Sequence, residues 1–175
     1  RIIEMVVQTL EQMMRDRGYK DVERAECGDV LGMLEENMPV CEASGKNGER
    51  VRVHILPDEK IGVKAARALQ KVSRDRLILV SSGGATTFLK KEISENVEFF
   101  KVSDLVFNIT RHLYVPSHFK IENYPEGEIK NLPHLLTSSP IVRYFAWSVG
   151  DVICTRRTFS GCEPVSYYRV VATSP

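Results

Sequence analysis

No apolar run in this sequence approaches the ~18 residues a membrane-spanning helix needs, so no membrane partner is expected. Its four cysteines, Cys27, Cys41, Cys154 and Cys162, form no C-x-x-C pair and none sits near histidine at zinc-finger spacing. They read as reduced thiols, which suits a nuclear or cytosolic protein and gives no reason to expect a metal. Enzyme signatures are also missing. There is no G-x-S-x-G elbow and no H-E-x-x-H helix. Gly45-Lys46-Asn47-Gly48 lacks the upstream Gly and following Ser or Thr of a phosphate loop, and reads instead as a hairpin turn. Neither charge sign dominates: 24 Lys plus Arg against 23 Asp plus Glu leaves a formal net charge of +1. A broad basic face that grips nucleic acid alone is thereby excluded, and any DNA contact should be local. Asn108-Ile109-Thr110 matches a glycosylation sequon, but without a secretory signal it is expected to be an unused part of a strand.

What is present is the composition of a folded protein, 43% hydrophobic and 27% charged. Val6, Val7, Leu10, Met13 and Met14 recur at helical spacing, and Gly18 follows as a C-cap, which predicts a helix over 2–17. Residues 20–50 carry mixed signals, with a short helix near Val30 to Glu36. Val51, Val53 and Ile55 alternate with polar neighbours before Pro57, predicting a half-buried strand. Ile61, Ala65, Leu69 and Val72 make a second helical stripe, and Leu77 to Val80 is a continuous apolar run of strand length. Ser81-Ser82-Gly83-Gly84 then leads to a third helix carrying Phe88, Leu89 and Ile93, and Val97 to Val102 reads as another strand. This alternation predicts an N-terminal α/β domain over 1–108 with a small, partly parallel sheet. Prolines 116, 125, 133 and 140 then punctuate the chain, and Asp151 to Thr155 and Val165 to Val171 read as strands of a small α+β domain over 109–175. The first residue is Arg1, not Met, so the natural chain is expected to continue upstream.

Several segments carry a family likeness. Residues Asn108 to His118 read N-I-T-R-H-L-Y-V-P-S-H, which resembles a family stretch N-I-T-x-H-x-L-V-P-x-H. Leu132-Pro133, then Ser139-Pro140-Ile141-Val142-Arg143-Tyr144-Phe145, is similar to L-P and D-P-V-A-R-Y-F in the same order. Gly150, Val152 and Arg157 fall on a G-x-V-V-x-x-x-R run, and Tyr168, Arg169 and Val171 on a closing Y-R-L-V. Earlier, Asp16-Arg17-Gly18-Tyr19 matches D-R-G-Y and Ile61-Gly62-Val63-Lys64 resembles V-G-I-K. In these motifs the chain resembles the common subunit 5 of eukaryotic nuclear RNA polymerases and its archaeal counterpart.

The resemblance implies a non-catalytic, cofactor-free polymerase subunit in the nucleus. Its N-terminal jaw domain would lie near downstream duplex DNA, and its C-terminal assembly domain would dock on the largest polymerase subunit. On matching positions the subunit interface would include His112, Pro116, Pro133, Pro140, Arg143, Tyr144, Arg157, Tyr168 and Arg169. Arginine and tyrosine are also favoured at interface centres on physical grounds. The plainer reading makes Tyr144, Phe145 and Trp147 core aromatics and gives His112 and His118 hydrogen-bonded structural roles. For DNA, the resemblance points to Ser82, Gly83, Gly84, Thr86 and Thr87, followed by Lys90 and Lys91. Unpaired backbone N–H groups between a strand end and a helix start would attract phosphate there. The plainer alternative is a Ser/Thr-capped helix entry with glycines for tight geometry.

The loop lacks the proline of the family's T-P-S, and Thr158 to Glu163 replaces its P-S-E-T-A-G. Such a diverged loop is expected of a paralogue dedicated to one polymerase class, with the nucleolus as the compartment of a polymerase I form. Two other classes compete. Pro57-Asp58-Glu59-Lys60 superficially resembles a metal-dependent nuclease pattern, but its acids and lysine crowd into one turn instead of converging from two strands. A free-standing adaptor would use the same surfaces without entering a polymerase.

Overall fold

The computed structural model describes residues 1–24, 38–45, 48–57, 59–72, 75–92 and 96–173. The helix expected near Val30 to Glu36, Cys27 and Asp58 lie outside the described residues. The chain divides into two compact units, Arg1–Phe107 and Asn108–Pro175.

The first unit begins with α1 (Ile2–Asp16), whose Val6, Val7, Leu10, Met13 and Met14 are buried as the stripe requires. Arg17 closes it, and Gly18, at φ +87°, makes the turn that only glycine adopts freely. Two bonds then satisfy the last carbonyls: Gly18 N donates to Arg15 O and Tyr19 N to Met14 O. The sheet runs β1 (Lys20–Arg24), β2 (Cys41–Ser44), β3 (Arg50–Ile55), β4 (Arg76–Ser81), β5 (Val97–Lys101), in that spatial order. The first two pairings are antiparallel and the last two parallel, so the partly parallel sheet is borne out. Between β2 and β3, Gly45 N donates to Glu49 O and Gly48 N to Gly45 O, while Lys46 and Asn47 of the expected turn lie outside the described residues.

The parallel crossovers contain α2 (Val63–Val72) and α3 (Thr87–Glu92), and α4 (Val102–Leu105) follows β5. Leu77 and Leu79 pack with Leu56, Ile61, Ala66 and Leu89. Ile78 and Val80, on the opposite face, are also fully buried. This is why β4 reads as a continuous apolar run. The half-buried reading of β3 is corrected for the same reason: His54 and Leu56 are each 5% exposed, because both faces of the sheet are covered there. The stripe read into α3 also changes. Leu89 is fully buried but Phe88 is 61% exposed, and Ile93 lies outside the described residues.

The second unit is a four-stranded sheet in the order β6 (Ser117–Ile121), β8 (Val152–Arg157), β9 (Val165–Ala172), β7 (His134–Leu136). Its pairings are antiparallel except β7 with β9. A one-turn helix α5 (Glu126–Ile129) enters after Pro125, and α6 (Pro140–Phe145) starts with proline at its first position, where no N–H is missed. Ile141 and Val142 of α6 pack with Leu135, Ile153 and Val171 to form the core. The sequon is not a strand: Asn108 caps a 3₁₀ turn over Ile109–Arg111.

Cys41 and Cys154 are buried and Cys162 is exposed. Burial, reinforced by the nearby Glu11 and Glu42 carboxylates, pushes the Cys41 thiol up to about 12. Thiolate is the reactive form, so an alkylating agent at mildly alkaline pH is expected to modify Cys162 and spare Cys41 and Cys154 until the chain is denatured. Peptide mass spectrometry reads this directly, and prompt labelling of Cys41 in the native chain would contradict the packing of β2.

Candidate functional site

The first candidate is the loop between β4 and α3, three of whose backbone donors are already committed. Gly83 N donates to the Glu59 carbonyl and Thr86 N to the Ile61 carbonyl, while Ile61 N donates to the Gly84 carbonyl. Gly84 N donates to Ser81 Oγ at 2.9 Å. Thr86 Oγ1 accepts from Leu89 N at 3.3 Å, as an N-cap does. A Cβ on Gly83 would stand 2.5 Å from the Glu59 carbonyl oxygen, so this glycine permits the approach of the 59–61 segment. The expected cradle of unpaired amides is therefore corrected: the N–H groups of Gly83, Gly84 and Thr86 point into the protein. What faces outward is the exposed pair Ser82 and Thr87. Lys90 and Lys91 fall on α3, and their side chains lie outside what the structure describes. Among the described residues, no group of three His, Cys, Asp or Glu is placed to hold a metal ion.

The second candidate is a groove of about 510 Å³ on the second unit, open to solvent. Its sheet wall follows from register. His118 of β6 pairs with Thr155 of β8, which pairs with Tyr167 of β9. Side chains alternate along a strand, so Arg157 and Arg169, each two residues along from this row, lie on the same face. The facing wall comes from the 3₁₀ turn and its continuation, with Ile109, Tyr114, Val115 and Pro116. Leu135, Ser139, Pro140 and Ile141 complete the lining.

Inside the groove, His118 Nδ1 lies 2.7 Å from the Pro116 carbonyl oxygen. A carbonyl can only accept, so Nδ1 carries the proton and the neutral ring leaves Nε2 as an acceptor. Burial lowers the His118 pKa; the bond to Pro116 opposes the shift, and Arg169 and Arg157 add to it. The arginines form no ion pair with a carboxylate among the described residues.

Pro116, Pro140, Arg157 and Arg169 are thus brought together, while the other expected interface residues are not. Tyr168 lies on the opposite sheet face, in a row with Cys154 and Phe119, its ring 5.5 Å from that of Tyr124. Tyr144 is a correction. It is 3% exposed, and its hydroxyl oxygen accepts from Asn108 Nδ2 at 2.9 Å, so it supports the surface from within. Arg143 is half-buried on α6, and Pro133 is exposed ahead of β7, where its carbonyl accepts from Val170 N. His112 is exposed, its Nδ1 accepting from Tyr114 N at 3.3 Å. Sequence reasoning missed Thr155 and Tyr167. Their signal was the two-residue period that ties them to Arg157 and Arg169.

No family model matches the chain. It is 26% identical to the DNA-directed RNA polymerase subunit 5-like protein 1 of Arabidopsis thaliana, over 93% of this chain and 91% of that one. It is 26% identical to the DNA-directed RNA polymerases I, II, and III subunit RPABC1 of Caenorhabditis briggsae, over 93% and 92%. With the DNA-directed RNA polymerase V subunit 5C of Arabidopsis thaliana it shares 29% identity over 90% and 77%. These relatives bear out the resemblance to subunit 5 that the motifs carry.

Proposed function

We propose that this chain is a non-catalytic subunit of a DNA-dependent RNA polymerase that acts in the nucleus, its second unit docking on the largest subunit and its first supporting downstream DNA. The observation that carries this reading is the coincidence of motif and surface. Pro116, Pro140, Arg157 and Arg169, drawn from separate stretches that resemble subunit 5, line one groove. Such a groove, with an apolar floor, aromatic walls and cations at its edge, has the make-up of a protein interface. A solitary nucleic-acid binder would need more net charge than +1. The interface includes Tyr114 and Tyr167 at the groove, with His112 beside it. Tyr144 and Arg143 act by holding α6, and Tyr168 belongs to a separate contact on the other face.

The test is capture from nuclear extract with the tagged full chain. Wild type should recover the two largest polymerase subunits. Tyr114→Glu with Tyr167→Glu should reduce recovery by about tenfold or more, because buried aromatic anchors dominate interface energy. Recovery of no polymerase subunit by wild type would overturn the proposal and return the adaptor reading. Which polymerase is recovered also decides between a shared subunit and a paralogue of one class, such as a nucleolar polymerase I form.

At the loop, DNA contact rests on Ser82, Thr87, Lys90 and Lys91, with Gly83, Gly84 and Thr86 shaping the turn. Lys90→Ala with Lys91→Ala, in the assembled enzyme, should lower the salt-dependence slope of DNA binding by about one to two, not abolish binding. An unchanged slope would remove this loop from the DNA path.

A further inference from the structure

The groove on the second unit sets two arginines without carboxylate partners among the described residues beside an apolar floor. Some cations elsewhere do meet carboxylates. Arg17 meets Glu98, Arg52 meets Glu42 and Asp75, and Lys120 meets Asp151. Arg157 and Arg169 stand at diagonal corners of the row His118, Thr155, Tyr167: one lies two residues beyond Thr155 on β8, the other two residues beyond Tyr167 on β9. Both press electrostatically on His118 between them, so their fields overlap in the groove. His118 is held neutral by burial and by this pair, so it presents an acceptor and adds no positive charge of its own. Leu135, Ile141 and Val115 supply the apolar floor.

Resting on the polymerase-subunit reading, we infer that the groove takes an extended segment of the partner subunit that carries an acidic side chain between apolar ones, the carboxylate lying between Arg157 and Arg169 and a neighbouring N–H or O–H meeting His118 Nε2. Charge complementarity selects this occupant. A basic segment would meet two guanidinium groups, and a purely apolar one would leave them desolvated and unpaired, which is costly. A guanidinium also matches a carboxylate by two parallel bonds, so the site reads geometry as well as charge.

The experiment places a photo-crosslinking residue at Tyr167, and separately at Tyr168, in the tagged full chain, exposes each to nuclear extract, and sequences the crosslinked peptides. Groove crosslinks should fall on one polymerase-subunit segment containing Asp or Glu. Arg157→Glu with Arg169→Glu should cut capture by about tenfold or more, and reversing the identified acid to Lys in the partner should restore it. Both arginines are exposed, so the variant should keep its circular dichroism spectrum. Three results overturn the inference while leaving the polymerase reading intact: polymerase captured with crosslinks from position 168 alone, groove crosslinks to a segment without a carboxylate, or capture indifferent to the charge reversal. Absence of any polymerase subunit from the wild-type capture would overturn both.

Discussion

Arg17→Ala is expected to cost the first unit about 3 kcal/mol, at the low end of the range for breaking a buried ion pair. The Arg17 side chain is 3% exposed and grips Glu98 with two parallel bonds, Nη1 to Oε1 at 2.9 Å and Nη2 to Oε2 at 2.8 Å. It ties the end of α1 to β5, elements 81 residues apart in sequence. Deleting the cation leaves the Glu98 carboxylate in place without its fork. Glu98 is 20% exposed, so water can recover part of the loss, which keeps the figure at the low end. Arg17→Lys should sit between, since it keeps the charge but not the planar pair of donors. Arg17→Leu with Glu98→Leu should recover most of the stability, because neither desolvated charge remains. Hydrogen exchange at the amides of α1 and β5 measures this in the full chain. A change under about 1 kcal/mol would show that the pair is a bystander.

The same residue shows what could be read from the sequence and what could not. Arg17-Gly18 was legible as a helix end, because a helical stripe stopped there and glycine followed. That Arg17 reaches Glu98 was not, since nothing local encodes a partner so distant. β4 was legible because a strand buried on both faces must be apolar throughout. β1 was not: its residues are exposed or half-exposed, so Lys20 to Arg24 shows no period. β7 is three residues long, too short for any pattern to rise above composition.

The geometry of both site candidates departs from the sequence reading for physical reasons of the same kind. Strand, glycines and helix follow in the same order whether the amides of a loop face outward or inward. What decided the matter at Gly83 was a carbonyl at Glu59, far upstream. At the groove, motif resemblance selected Arg157, Tyr168 and Arg169 together, but the two-residue period of a strand puts Tyr168 on the far side. Alternation applied to β8 and β9 would have separated them and added Thr155 and Tyr167.

Asn108→Ala is expected to destabilise the second unit by about 2–3 kcal/mol, combining a lost cap with a buried hydroxyl deprived of its donor. Asn108 is 8% exposed and divides its side chain between two tasks. Its Oδ1 accepts from Thr110 N at 2.9 Å and from Thr110 Oγ1, which fixes the 3₁₀ turn; its Nδ2 donates to Tyr144, which fixes that turn against α6. Both neighbours build the groove, the turn through Ile109 and the chain that leads to Tyr114 and Pro116, α6 through Pro140 and Ile141. Two companions separate the tasks. Tyr144→Phe removes the link to α6 and keeps the cap, whereas Asn108→Asp keeps the cap and removes the amide donor, and each should cost less than Asn108→Ala. Trp147, the single tryptophan of the chain, stacks on Phe145 with ring centres 4.6 Å apart, so its fluorescence reports the second unit during urea unfolding. If Asn108→Ala leaves that midpoint within about 0.5 kcal/mol of wild type, the N-I-T motif is not a structural clasp. If instead the midpoint falls as expected and capture of polymerase falls with it, the motif acts by shaping the groove from behind, without touching the partner.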